Sequence, residues 1–137
     1  MAQEKILLID DDPSFVEITG AILRRFGYAV LMADNTGAGL EIIKTQKPDL
    51  LILDIMMATM DEGLRFATQL KQTDETGRLP IIIVSAQPET EKGYSHTVDE
   101  DLDWIAAELF MEKPIDPQAL RYNIELLLKR KPSSHQA

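Results

Sequence analysis

Short apolar runs alternate along the chain with longer stretches in which apolar residues return every three or four positions. The runs cover 6–9, 28–32, 50–53, 81–84 and 109–111. They are mostly unbroken Ile, Leu and Val, which predicts strands of a parallel sheet buried on both faces. After the first run, Phe15, Ile18, Ile22 and Phe26 recur at helical spacing. Pro13 suits the first position of that helix, Asp12 its cap and Gly27 its stop. Asn35 is placed to cap a second helix, which carries Leu40, Ile42 and Ile43 and ends before Pro48. A third helix is expected over 63–71, with Leu64, Phe66, Ala67 and Leu70 on its apolar side. A last one runs from about Pro117, with Leu120, Ile124, Leu127 and Leu128 as its buried stripe. Strand alternating with helix predicts an α/β fold, a doubly wound parallel sheet with helices on both faces.

One stretch breaks the alternation. Over 87–103 only Tyr94, Val98 and Leu102 are large and apolar, while Gly93, Ser95 and Thr97 weaken a helix. Asp99, Glu100, Asp101 and Asp103 crowd the end where a helix prefers cations. An irregular connection is expected there, an atypical or missing fourth helix, with order returning at 104–109. Residues 4–130 are expected to form one domain and 131–137 a disordered tail.

The chain has 137 residues, enough for a substantial core. It has no cysteine, which excludes disulfides and thiolate metal sites. The start resembles no signal peptide, and no apolar run approaches the roughly 20 residues that span a bilayer. A cytoplasmic location without membrane attachment is the expectation. The net charge of −9 argues against nucleic-acid binding through this domain and otherwise favours solubility. His96 and His135 lie in polar stretches and read as surface residues; Tyr94 and Trp104 read as packing aromatics.

The candidate chemistry lies where the strands end. Asp10 and Asp11 follow the first run, Asp54 the third and Ser85 the fourth, and Lys113 closes the fifth. A parallel sheet brings all these ends to one edge, the edge where open α/β sheets bind ligands. Each residue alone has a structural explanation, since Asp and Ser commonly begin turns and Asp12 suffices as a helix cap. Together they indicate more. Three carboxylates held close repel one another, and a hard divalent cation with oxygen ligands, Mg²⁺, relieves this. A lysine and a hydroxyl nearby can bind phosphoryl oxygens. The set suits phosphoryl transfer onto an aspartate, driven by positioning and electrostatics.

The segments Ile-Leu-Leu-Ile-Asp10-Asp11-Asp12-Pro13, Asp49-Leu-Leu-Ile-Leu-Asp54-Ile-Met-Met, Ile81-Ile-Ile-Val-Ser85-Ala86 and Phe110-Met-Glu-Lys113-Pro114 resemble the response-regulator receiver domains of two-component systems. The resemblance runs from about Lys5 to Lys129. It implies a flavodoxin-like five-stranded sheet of order 2-1-3-4-5. It further implies that Asp54 accepts a phosphoryl group from a histidine kinase or phosphotransfer protein, and that a downstream protein target reads the result. Asp10, Asp11, Asp54 and the backbone carbonyl of Met56 would hold Mg²⁺. Ser85 and Lys113 would bind phosphoryl oxygens, Ser85 and Phe110 would form the switch, and the Lys113–Pro114 bond would be cis. The chain would act on itself and would not turn over substrate as an enzyme. It departs from the family in the loop after Asp54, where Ala58, Thr59 and Glu62 precede Gly63, and in the long acidic stretch before Lys113. The second departure implies an altered output face.

Two other readings are weighed against this one. A phosphohydrolase of the haloacid-dehalogenase type needs a second Asp two residues beyond the first, where this chain has Met56, and no general acid is in evidence. An interaction module that works without phosphorylation would usually lack the pocket residues that this chain carries.

Overall fold

The computed structural model describes residues 3–54, 60–73, 76–86 and 109–129. Met56, the stretch 87–103, residues 104–108, where order was expected to return, and the tail 131–137 lie outside them. The described elements are β1 (Lys5–Ile9), α1 (Pro13–Arg25), β2 (Ala29–Ala33), α2 (Thr36–Gln46), β3 (Leu50–Asp54), α3 (Met60–Gln72), β4 (Ile81–Ala86), β5 (Leu109–Lys113) and α4 (Pro117–Lys129). The strands form one sheet in the order β2-β1-β3-β4-β5, every neighbouring pair parallel. This is the flavodoxin-like order that the resemblance implied.

The sheet is covered on both faces, and successive side chains along a strand divide between them. Leu7, Ile9, Leu51, Leu53, Ile81 and Ile83 pack with Ile43 of α2 and with Phe66 and Leu70 of α3. Ile6, Leu8, Leu50, Ile52, Ile82 and Val84 pack with Leu23 of α1 and with Leu120, Ile124 and Leu127 of α4. Two-sided burial explains why the strands show no alternation of apolar and polar residues. Leu120 and Ile124 are fully buried, and truncating either to Ala costs roughly 2–5 kcal/mol.

The helix starts follow the local sequence. The Asp12 side chain accepts a hydrogen bond from the Ser14 N–H at 3.0 Å, with Pro13 as the first helical residue. The Asn35 side chain accepts from the Ala38 N–H at 2.8 Å, and Asp116 does the same for Ala119 at 2.9 Å. Each satisfies an N–H that the helix itself leaves unpaired. Past α1, Gly27 takes a φ of 99°, where a Cβ would be strained.

Several boundaries differ from the sequence expectation. β2 lies one residue later than 28–32, and α3 begins three residues before Gly63. The strands also do not stop at the last apolar residue. Asp54 pairs with Val84, Ser85 with Glu112 and Ala86 with Lys113, so the candidates Asp54, Ser85 and Lys113 stand within the strands, while Asp10 and Asp11 lie just past the end of β1. Ladder bonding uses the backbone and tolerates a polar side chain.

The apolar spacing of α1 also misplaces its buried face. Ile18 is 61% exposed, while Thr19, Gly20 and Leu23 are buried. A Cβ at Gly20 would lie 2.7 Å from Cε of Met32. That atom is the flexible end of a partly exposed side chain and can give way, while Ile18 is turned outward.

Candidate functional site

Asp10, Asp11 and Asp54 meet at the carboxyl edge of β1 and β3, where one oxygen from each lies within 4.8 Å of the others. Asp10 and Asp54 are buried and Asp11 is exposed. Asp10 is held from two sides. Its Oδ1 accepts the Asp12 N–H at 2.9 Å, and its Oδ2 accepts from Lys113 Nζ at 3.0 Å. The same Nζ stands 3.6 Å from Asp54 Oδ2. The Lys113–Pro114 peptide bond is cis.

Strand alternation explains which residues meet. Leu8, Ile52 and Met111 face α1 and α4, so Asp10, just past β1, and Asp54 and Lys113 at the ends of their strands, each two residues further on, turn to the same face. Ile83 and Phe110 face α2 and α3, and Ser85, two beyond Ile83, belongs with them. Ser85 is buried, one step past Val84, the ladder partner of Asp54. The candidate residues therefore form two sets, an ionic one on the α1 side and the pair Ser85 and Phe110 on the other. Met56 is outside the described residues, so the carbonyl assigned to it has no observed place.

Three carboxylate oxygens, one of them from the exposed Asp11, form a hard donor set that fits Mg²⁺. A cavity of about 590 Å³ opens onto Asp10 and Asp11 beside Val16, Met32 and Ala33, so water and small solutes reach this side. One contact was not foreseen from the sequence. Lys113 Nζ lies over the ring of Phe15, 4.2 Å from its centroid. Its spacing places Phe15 in the helix stripe and gives no sign that it meets a lysine from the fifth strand.

Comparison with known proteins agrees with the fold. A profile of the response regulator receiver domain matches residues 6–125, so the chain belongs to the response regulator receiver family. It is the receiver class of two-component response regulators that this fold and acidic edge define. Protein PilH of Pseudomonas aeruginosa is 31% identical over 125 residues, covering 90% of this chain and 97% of that protein. The alkaline phosphatase synthesis transcriptional regulatory protein PhoP of Bacillus subtilis is 30% identical over 132 residues, covering 93% of this chain but 49% of PhoP. The chain thus spans nearly all of one relative and about half of the other. Among solved structures, a CheY-like response regulator receiver domain protein of Methanospirillum hungatei superposes with a TM-score of 0.78 at 25% identity, covering 95% of this chain and 97% of that one. The receiver domain of NtrX from Brucella abortus gives 0.77, also at 25%, over 91% and 98% of the two chains. No helix among the described residues is long and apolar enough to cross a membrane.

Proposed function

We propose that this receiver accepts a phosphoryl group on Asp54 from a histidine kinase or phosphotransfer protein, in a Mg²⁺-dependent reaction, and thereby changes its affinity for a downstream protein. The observation that carries this reading is the cluster of Asp10, Asp11 and Asp54 oxygens within 4.8 Å of one another, with the Lys113 ammonium against two of them. Asp10, Asp11 and Asp54 would hold the ion, with the Met56 carbonyl as a further ligand. When bound, Mg²⁺ supplies positive charge against the phosphoryl oxygens.

The chain's own residues do the rest. An Asp54 carboxylate oxygen attacks the donor phosphorus, and the phosphorus–nitrogen bond of a phosphohistidine breaks with its electron pair left on the imidazole. Lys113 turns from Asp10 to a phosphoryl oxygen, a charge-assisted contact stronger than a neutral hydrogen bond. Ser85 donates to another oxygen. Its movement would be felt at Phe110, on the same face of the sheet, and this is a local switch of the kind that biases two existing states. Residues 4–130 make up the responding unit. It modifies itself and turns over no phosphate ester, which sets it apart from an aspartyl-phosphate phosphohydrolase.

Beryllofluoride, which stands in for the phosphoryl group, tests the reading. Calorimetry should show it binding with Mg²⁺ present, and fluorine resonances should report a species at Asp54 that is lost in Asp54→Asn. Binding that survives this substitution, or that ignores Mg²⁺, would overturn the proposal. The same chain behaving as a phosphorylation-independent module would show no binding at all.

A further inference from the structure

The Lys113 ammonium is held on three sides. Two are the carboxylates of Asp10 and Asp54, at 3.0 and 3.6 Å. The third is the ring of Phe15, with its centroid 4.2 Å from Nζ. The face of an aromatic ring carries negative charge density and attracts a cation set over it. Phe15 is fixed there for local reasons. Asp12 caps α1, Pro13 is its first residue, and Phe15 falls in the first turn on the side that faces Lys113. The ring is partly buried against the core cluster under α1 and α4.

We infer that Phe15 is a positioning residue for Lys113, holding its ammonium at the acidic edge before and during phosphoryl transfer. The inference rests on the reading of Asp54 as the acceptor. A lysine side chain is a flexible stem with a strongly hydrated head, and here it is 19% exposed. Left to itself it would spend part of its time in solvent. When a phosphoryl group arrives, the ammonium has to exchange an Asp10 oxygen for a phosphoryl one. A hydrogen-bond acceptor in the place of Phe15 would compete for the ammonium protons during that exchange. A ring attracts the charge over a broad face and holds no proton, so it retains the head while leaving the donors free. An aliphatic residue would fill the same volume without the attraction.

The test compares Phe15→Leu and Phe15→Met with the aromatic replacement Phe15→Tyr in the full chain. Met fills irregular space well and serves as a second non-aromatic variant. The first readout uses protein without metal or donor. The ring should shift the Lys113 ε-methylene proton resonances upfield in wild type and Phe15→Tyr, and they should return to ordinary positions in the Leu and Met variants. The second readout is the rate at which acetyl phosphate labels Asp54 with Mg²⁺ in excess, over a range of donor concentrations. The non-aromatic variants should label about three- to tenfold more slowly at saturating donor, with the half-saturating concentration little changed, and Phe15→Tyr should recover most of the rate. Unshifted Lys113 resonances in wild type would overturn the contact. Labelling of the Leu and Met variants at the wild-type rate, or no recovery by Tyr, would overturn the positioning role. A wild type that takes no label at Asp54 would overturn the acceptor reading and the transfer role with it, while the resonances would still decide whether Phe15 holds Lys113.

Discussion

The two edges of the sheet use their charges in opposite ways. At the amino-terminal edge, charges meet the backbone. Lys5 Nζ donates to the carbonyl of Gln46 at 2.7 Å, at the end of α2, and Lys71 Nζ to that of Leu79 at 3.1 Å, ahead of β4. Asp49 there accepts the Lys5 N–H at 2.8 Å. These contacts satisfy groups that helix and strand ends leave open. At the carboxyl edge, three acids and one amine chiefly face each other. Charge tied to the backbone holds the shape of the chain and is not free to exchange partners. Charge balanced by other side chains can be redistributed when a ligand arrives.

The largest expected effect is at the carboxyl edge. Lys113→Met leaves the buried Asp10 and Asp54 without their shared cation. The metal-free protein should lose roughly 2–4 kcal/mol, less than a fully buried pair because Lys113 is partly exposed. Urea unfolding in a chelator should show this, and Mg²⁺ should restore part of it by binding the folded state. Equal stability of variant and wild type in the chelator would mean that the edges do not differ as stated.

Under the proposed reading the neighbours Asp11 and Asp12 do different work. Asp11→Ala should weaken Mg²⁺ binding by about tenfold or more, equivalent to about 1.4 kcal/mol. Asp12→Ala removes the α1 cap and should cost about 1 kcal/mol of stability while changing Mg²⁺ affinity far less. Calorimetric titration alongside urea unfolding separates the two, and equal losses of affinity would remove the distinction.

Lys71→Met tests the other edge. It should cost about 1 kcal/mol of stability through its carbonyl contacts and leave labelling at Asp54 unchanged. The smallest effect is at Tyr28, also at the amino-terminal edge. Burial, and then the charges of Glu125 and Glu4, raise its pKa above the ordinary 10.0, with Arg121 opposing. The neutral phenol is therefore favoured in the folded state. Its contribution is full below pH 10.0 and is lost as pH rises through the higher folded value. Tyr28→Phe should flatten this alkaline loss in the urea midpoint, and identical pH profiles would show that the neighbours do not act on it.

Much of this fold was legible because two-sided burial writes strands as unbroken apolar runs and because caps such as Asp12 and Asn35 have a local signature. The strand order came from the family resemblance; alternation alone predicts only a parallel sheet. The strand ends were blurred because ladder pairing continues through Asp54, Ser85 and Lys113. The roll of α1 was hidden for a different reason. Counting apolar residues favours Ile18, whereas the buried face includes Thr19 and Gly20, which such a count passes over. The members of the site could be listed from strand ends, but their division into Asp10, Asp54 and Lys113 on one face and Ser85 and Phe110 on the other needed the register. The Phe15 contact depends on the reach of the Lys113 side chain across the sheet edge to the first turn of α1, which no local pattern carries.

The central claim is that Asp54 takes the phosphoryl group. The most direct measurement treats the chain with acetyl phosphate and Mg²⁺, reduces any acyl phosphate with borohydride, and maps the peptides by mass. The account predicts homoserine at position 54, absent without Mg²⁺ and absent in Asp54→Asn. Reduction product at Asp10 or Asp11, or modification that persists in Asp54→Asn at the wild-type level, would contradict it.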